Sequence, residues 1–77
     1  MSRESLDARR ILCPLPVIRT QDRVAKMRPG DVLEVTATDP GVKVDIPTWC
    51  RINGHTVLEI DERDDEIVII LKVGEAG

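Results

Sequence analysis

The sequence predicts a two-layer α/β (α+β) sandwich in the order β-α-β-α-β-β, with a four-stranded mixed sheet carrying two helices on one face. Two stretches with apolar residues at helical spacing each follow a stretch of alternating or β-branched residues. Two further β-rich stretches come last, joined by a short polar turn. A strand–helix–strand crossover is right-handed, so successive units of this kind bring both helices to the same side of the sheet. The 77 residues suffice for one domain. A chain of this size buries only about 60% of its unfolded surface, so the core is one layer deep, with no room for a large enclosed pocket.

Residues 5–8 form a short first strand with Leu6 and Ala8 on one face. Cys13-Pro14-Leu15-Pro16 then leads into a helix over 17–27, with Val17, Ile18, Val24 and Ala25 apolar. Arg19, Arg23 and Lys26 line one exposed flank of it, and Pro29-Gly30 ends it. Residues 31–37 read as a half-buried strand with Leu33, Val35 and Ala37 inward. Thr38 or Asp39 can cap the next helix, over 41–52, whose apolar face is Val42, Ile46, Trp49 and Cys50. Pro47 lies deep for a helix, so an irregular first turn is expected before a regular stretch from near Ile46. Asn53-Gly54 stops it.

Strands over 56–62 and 66–73 follow, with Arg63-Asp64-Asp65 as a hairpin connection. Leu58 and Ile60 face one way; Val57, Glu59 and Asp61 face the other. The uncovered sheet face then holds Val32, Glu34, Thr36, Val57, Glu59, Val68, Ile70 and Lys72. It is either an ordinary open face or a docking or self-association patch.

Composition narrows the function. Hydrophobic residues are 42% and charged residues 32%, the balance of a folded soluble chain. Trp49 is the one aromatic residue and the net charge is −3, so neither base stacking nor phosphate-backbone binding is favoured, and no direct nucleic-acid partner is expected. The longest apolar run, 67–71, falls far short of the roughly 18 residues of a membrane span, and the first ten residues lack a signal-like apolar segment. A cytoplasmic protein without membrane association is expected. Two cysteines are too few for a disulfide framework, so both are expected as free thiols. A zinc site from Cys13, Cys50 and His55 would need a fourth ligand that no spacing supplies. There is no Gly-rich phosphate loop and no nucleophilic Ser/His/Asp pattern. No metal and no cofactor is expected. His55 reads as a loop or strand-entry residue, and the acidic run 61–66 as a solvated turn.

Cys13 is the residue that points to chemistry. It stands at the N-cap of the first helix or next to it, with Pro14 at N1 and Pro16 still in the first turn. Leu15 and Val17 are then the first free N–H donors. The helix start carries about half a positive charge, and Arg9 and Arg10 lie just upstream. Cysteines so placed have pKa values lowered from about 8.5 toward ~3.5–7.5. A thiolate that attacks sulfur and leaves as a sulfur anion permits disulfide or persulfide exchange. The plainer reading is a small packing residue, but Ser, Thr, Asp and Asn are the preferred caps, so a cysteine here hints at sulfur chemistry. Cys50 shares a face with Ile46 and reads as a buried core thiol, with a resolving partner for Cys13 as the alternative. That pairing requires Cα atoms within about 7 Å.

Six stretches carry a family resemblance: Leu6-Asp7-Ala8-Arg9, Cys13-Pro14-Leu15-Pro16, Pro29-Gly30-Asp31, Asp39-Pro40-Gly41, Asp45-Ile46-Pro47 and Trp49-Cys50. In order and spacing, over nearly the whole chain, they resemble the TusA (SirA-like) sulfur carrier proteins. The resemblance implies the same β-α-β-α-β-β sandwich and makes Cys13 the persulfide carrier. Around it stand Arg9, Arg10, Pro14, Leu15, Pro16 and Val17, with Arg19, Arg23 and Lys26 placed to meet a partner. Implied donors are a cysteine desulfurase or a rhodanese-type sulfurtransferase; implied acceptors are DsrE-like or other relay proteins. Implied uses are tRNA 2-thiolation, molybdenum cofactor assembly or dissimilatory sulfur oxidation. A monomer is expected. Many members carry Gly, Arg and Glu where this chain has Arg10, Leu12 and Leu15, which changes the surface offered beside the sulfur. The competing function is a non-catalytic regulatory or protein-binding module docking through the open sheet face.

Overall fold

In the computed structural model, which describes residues 2–74, the chain runs β1 (Arg3–Ala8), α1 (Leu15–Val24), β2 (Val32–Ala37), α2 (Val42–Ile52), β3 (Thr56–Arg63) and β4 (Glu66–Lys72). The sheet order is β1-β2-β4-β3. β1 and β2 are parallel, in register from Arg3↔Val32 to Ala8↔Ala37. β4 runs antiparallel between β2 and β3. The α2 crossover therefore steps over β4, and the expected mixed two-layer sandwich is observed. Both parallel strands end at one edge of the sheet, and both helices begin there.

The two central strands build the core by alternation. Leu33, Val35 and Ala37 of β2 and Ile67, Ile69 and Leu71 of β4 are buried beneath the helices. α2 answers with Val42, Ile46 and Cys50, four residues apart and so on one helical face. Burying such aliphatic side chains stabilises the fold by roughly 1.5–3 kcal/mol each.

α1 meets the sheet differently from the expectation. Its buried residues are Pro16, Thr20 and Val24, while Ile18 is 45% exposed and Ala25 lies outside the helix. Thr20 tolerates full burial because its hydroxyl donates to the Pro16 carbonyl at 2.8 Å. α2 runs unbroken through Pro47 from Val42. Its entry is tightened: Val42, Lys43 and Val44 donate to the carbonyls of Asp39, Pro40 and Gly41, three residues back. The irregular entry is there, but it is shorter than expected.

β3 contains a bulge between Val57 and Glu59. Val57 pairs with Leu71 and packs against the core, so it leaves the open face to which simple alternation assigns it. Leu58 is the unpaired bulge residue and is 54% exposed, while Glu59 and Asp61 stay opposite Ile70 and Val68 on the open face. Asp64 and Asp65, both at positive φ (48° and 66°), make the two-residue turn to β4, the backbone that matches the twist of a hairpin.

At the far end of α2, Gly54 takes φ 81° and reverses the chain. His55 then lies against Trp49, with ring centroids 4.9 Å apart, and its Nδ1 accepts the Gly74 N–H at 2.9 Å. Burial pushes the His55 pKa down from its ordinary value. The folded state thus prefers the neutral ring. As pH falls below about 6.5 the unfolded chain takes up a proton that the folded chain resists, so stability is lost on acidification and levels off below the folded pKa. The melting temperature is expected to drop between pH 7.5 and 5.5, and His55→Gln should flatten that drop. An equal drop in the variant would assign it to other groups.

Candidate functional site

Cys13 lies in the β1–α1 connection and is exposed. Pro14, rather than Cys13, is the N-cap of α1; Leu15 is its first residue and Pro16 its second. The Cys13–Pro14 peptide is cis. The Leu15 N–H donates to the Leu12 carbonyl at 2.9 Å, and the Ile18 N–H to that of Pro14 at 3.2 Å. Leu15 is therefore not the free donor that the sequence suggests. Among the described residues, Val17 alone of the first-turn N–H groups bonds no backbone acceptor.

The connection is stitched to the loop between β2 and α2. The Cys13 N–H donates to Asp39 Oδ2 at 2.8 Å, and the Arg10 N–H to Thr38 Oγ1 at 2.9 Å. Asp39 Oδ1 in turn accepts the Gly41 N–H at 2.9 Å, holding the carboxylate square to the start of α2. Asp45, in the first turn of α2, completes the contact: the Cys13 thiol donates to its Oδ2 at 2.8 Å.

These carboxylates reverse the expected electrostatics. The Cys13 thiol is pushed up from its ordinary pKa, first by its hydrogen bond to Asp45, then by desolvation and by the charges of Asp45 and Asp39. A full negative charge in contact outweighs the half charge of the helix start. The arginines do not restore the balance. Arg9 folds back onto Asp7, with Nε 3.0 Å from Oδ1, and reaches Glu66 at 3.2 Å. That pairing holds the Asp7 carboxyl down at about 2. Arg10 sits at φ 65° and anchors the loop through its backbone.

Of the cationic flank on α1, Arg23 is tied to the β1 edge, bonding Glu4 Oε1 and the Ser5 carbonyl at 3.2 Å each. Arg19 and Lys26 are exposed and make no ion pair among the described residues. Cys50 is 1% exposed within the core, and burial pushes its thiol to about 11. It sits five residues beyond Asp45 on α2, roughly 7.5 Å further along the axis, and both cysteines are free thiols.

From the sequence alone Asp39 reads as a cap, and no local pattern places Asp45 beside the sulfur. The signal was in the topology. Two helices that follow two parallel strands must start at one sheet edge, where such folds place their sites.

Fold and site together define a class: a small α/β sandwich presenting one exposed thiol at the edge where its parallel strands end. A family model described as Sulfurtransferase TusA matches residues 4–73, and the chain belongs to the TusA family of sulfur carrier proteins. It is 39% identical over 72 residues to a putative sulfur carrier protein of Neisseria meningitidis serogroup A, covering 94% of this chain and 97% of that one. It is 42% identical over 57 residues to the sulfur carrier protein TusA of Pseudomonas paraeruginosa, covering 74% and 72%. The solved SirA-like protein of Desulfitobacterium hafniense superposes with a TM-score of 0.82 at 26% identity, over 94% of this chain and 99% of that one.

Because the Cys50 sulfur is buried and makes no hydrogen bond among the described residues, Cys50→Ser should cost about 1–3 kcal/mol by burying a hydroxyl. Urea denaturation measures this. An unchanged midpoint would mean that Cys50 is not a core residue.

Proposed function

We propose that the protein accepts sulfane sulfur on Cys13 as a persulfide and hands it to a partner protein. The observation that supports this most is the contrast between the cysteines. Cys13 is exposed on a loop pinned by Asp39 and Thr38, whereas Cys50 is sealed in the core. In loading, Cys13 Sγ attacks the terminal sulfur of a donor persulfide. The Sγ–S bond forms as the donor's S–S bond breaks, and the proton lost by Cys13 ends on the donor's leaving sulfur. Delivery repeats the exchange with the acceptor's thiol, so neither step needs an outside oxidant.

A cysteine desulfurase or rhodanese-type protein fits the donor role, and a DsrE-like or other relay protein the acceptor role. The flow would serve tRNA thiolation, molybdenum cofactor assembly or sulfur oxidation. The surface beside the sulfur suits protein docking. Leu12 is 75%, Leu15 44%, Ile18 45% and Val44 68% exposed, all on segments flanking Cys13 or Asp45. Apolar side chains left open beside a reactive group mark an interaction surface. Arg19 and Lys26 lie further along α1, where charges chiefly raise the rate of encounter with an acidic partner. Pro14, Pro16 and Val17 shape the turn that presents the sulfur.

Incubation with a low-mass persulfide followed by intact mass measurement tests the reading. The wild type and Cys50→Ser should each gain one sulfur atom, removable by a thiol reductant, and Cys13→Ser should gain none. The serine hydroxyl can still donate to Asp45, so the fold should survive. Loading retained in Cys13→Ser would remove Cys13 from the role. Absence of loading in the wild type would favour a non-catalytic module that docks through its open sheet face.

A further inference from the structure

We propose that Asp45 is a positioning residue that keeps the Cys13 sulfur as a protonated, hydrogen-bonded thiol in the free carrier, and that the sulfur becomes nucleophilic against a docked donor that brings positive charge to Asp45 and Asp39. This rests on the reading of Cys13 as the carrier thiol and deepens it.

The geometry carries the argument. In the 2.8 Å contact the Cys13 thiol keeps its hydrogen and donates it to Asp45 Oδ2, and the Cys13 backbone N–H is bonded to Asp39 at the same distance. Neither aspartate can drift away: one is in the first turn of α2 and the other is bonded to the Gly41 N–H that opens that helix. Forming the thiolate would put a third negative charge against two carboxylates.

The α1 first turn offers only Leu15, Pro16, Val17 and Ile18, with no acidic or basic side chain. On α2, Lys43 is paired with Glu62 of β3. Before α1, Arg9 is paired with Asp7 and Glu66, and the Arg10 side chain makes no ion pair among the described residues. Against the half charge of the helix start and the charge of Arg10 stands a carboxylate in direct hydrogen-bond contact with the sulfur.

A thiol held neutral reacts slowly with oxidants and alkylating agents, because the thiolate is the nucleophile. An exposed carrier cysteine is thereby protected between partners. The donor that relieves the restraint must present a Lys, an Arg or a helix N-terminus opposite the two aspartates, within an apolar rim matching Leu12, Leu15 and Val44.

The reduced 77-residue chain in the absence of partners provides the test. The rate of Cys13 alkylation by iodoacetamide is followed against pH, with intact mass confirming a single adduct. The wild-type midpoint should lie above the ordinary cysteine value of about 8.5. Asp45→Asn should move it down by about one unit or more, raising the neutral-pH rate roughly 10-fold, and Asp39→Asn should move it less. A carboxylate in the first turn also favours the helix, so Asp45→Asn should lower the melting temperature slightly. A purely structural Asp45 would change that temperature and leave the pH profile unmoved, which would overturn the assignment. Where Asp45→Asn fails to fold, the wild type decides alone: a midpoint at or below the ordinary value overturns it. Glutathione persulfide, an anionic donor, supplies the second arm. It should load Asp45→Asn faster than the wild type, and equal rates would overturn the gating. If the pH profile shifts as stated but neither protein takes up sulfur, the carrier reading fails while Asp45's hold on the thiol stands.

Discussion

The parallel pairing of β1 with β2 is the constraint on which the rest of the molecule depends. Its register runs without interruption from Arg3↔Val32 to Ala8↔Ala37. It brings two chain exits side by side at one edge of the sheet, one leading to Cys13 and the other to Asp39 and Asp45. A slip of one residue would turn Leu33, Val35 and Ala37 out of the core and separate the two loops at the same time. The buried alternation of β2 and β4 makes such a slip costly, so the hydrophobic core also fixes the geometry of the sulfur site. The hydrogen bonds across the loops, Cys13 to Asp39 and Arg10 to Thr38, then hold the edge closed.

At that edge two electrostatic effects oppose each other. A helix start favours a thiolate, and many reactive cysteines exploit it. Here one carboxylate accepts from the thiol and a second holds its backbone N–H, and both favour the protonated form. For a carrier this has a use. A sulfur that must be exposed to meet large partners is also exposed to every small oxidant, and a restrained thiol resists the latter without hiding from the former. Pinning the backbone while leaving the sulfur open separates position from reactivity.

Much of the fold is legible in the residues because its signals are local. The alternation in residues 32–37, the Asn53-Gly54 stop and the acidic two-residue turn each act within a few positions. The place of Cys13, exposed between a strand and a Pro-rich helix start, is also legible. What was not legible depends on contacts between distant segments. Asp45 reaches the sulfur across 32 positions of sequence, and no local pattern marks that. Arg9 is held away from Cys13 chiefly by its near neighbour Asp7, with Glu66 of β4 as a second, distant partner. The bulge at Leu58 adds one unpaired residue to β3 and so puts Val57 inward against simple alternation. Pro16, Thr20 and Val24, four residues apart, form the inward face of α1, and a proline and a threonine carry no apolar signal that would mark it.

The decisive property is the protonation state of one sulfur in the free chain. Carbon-13 labelling of cysteine allows the Cβ resonance of Cys13 to be followed by NMR through a pH titration, since its shift reports thiol against thiolate without any reagent at the site. The resonance should hold its thiol position through neutral pH and move only above about 8.5, with Cys50 unchanged over the same range. A Cys13 resonance already at its thiolate position at pH 7 would contradict the account, and would return control of the sulfur to the helix start.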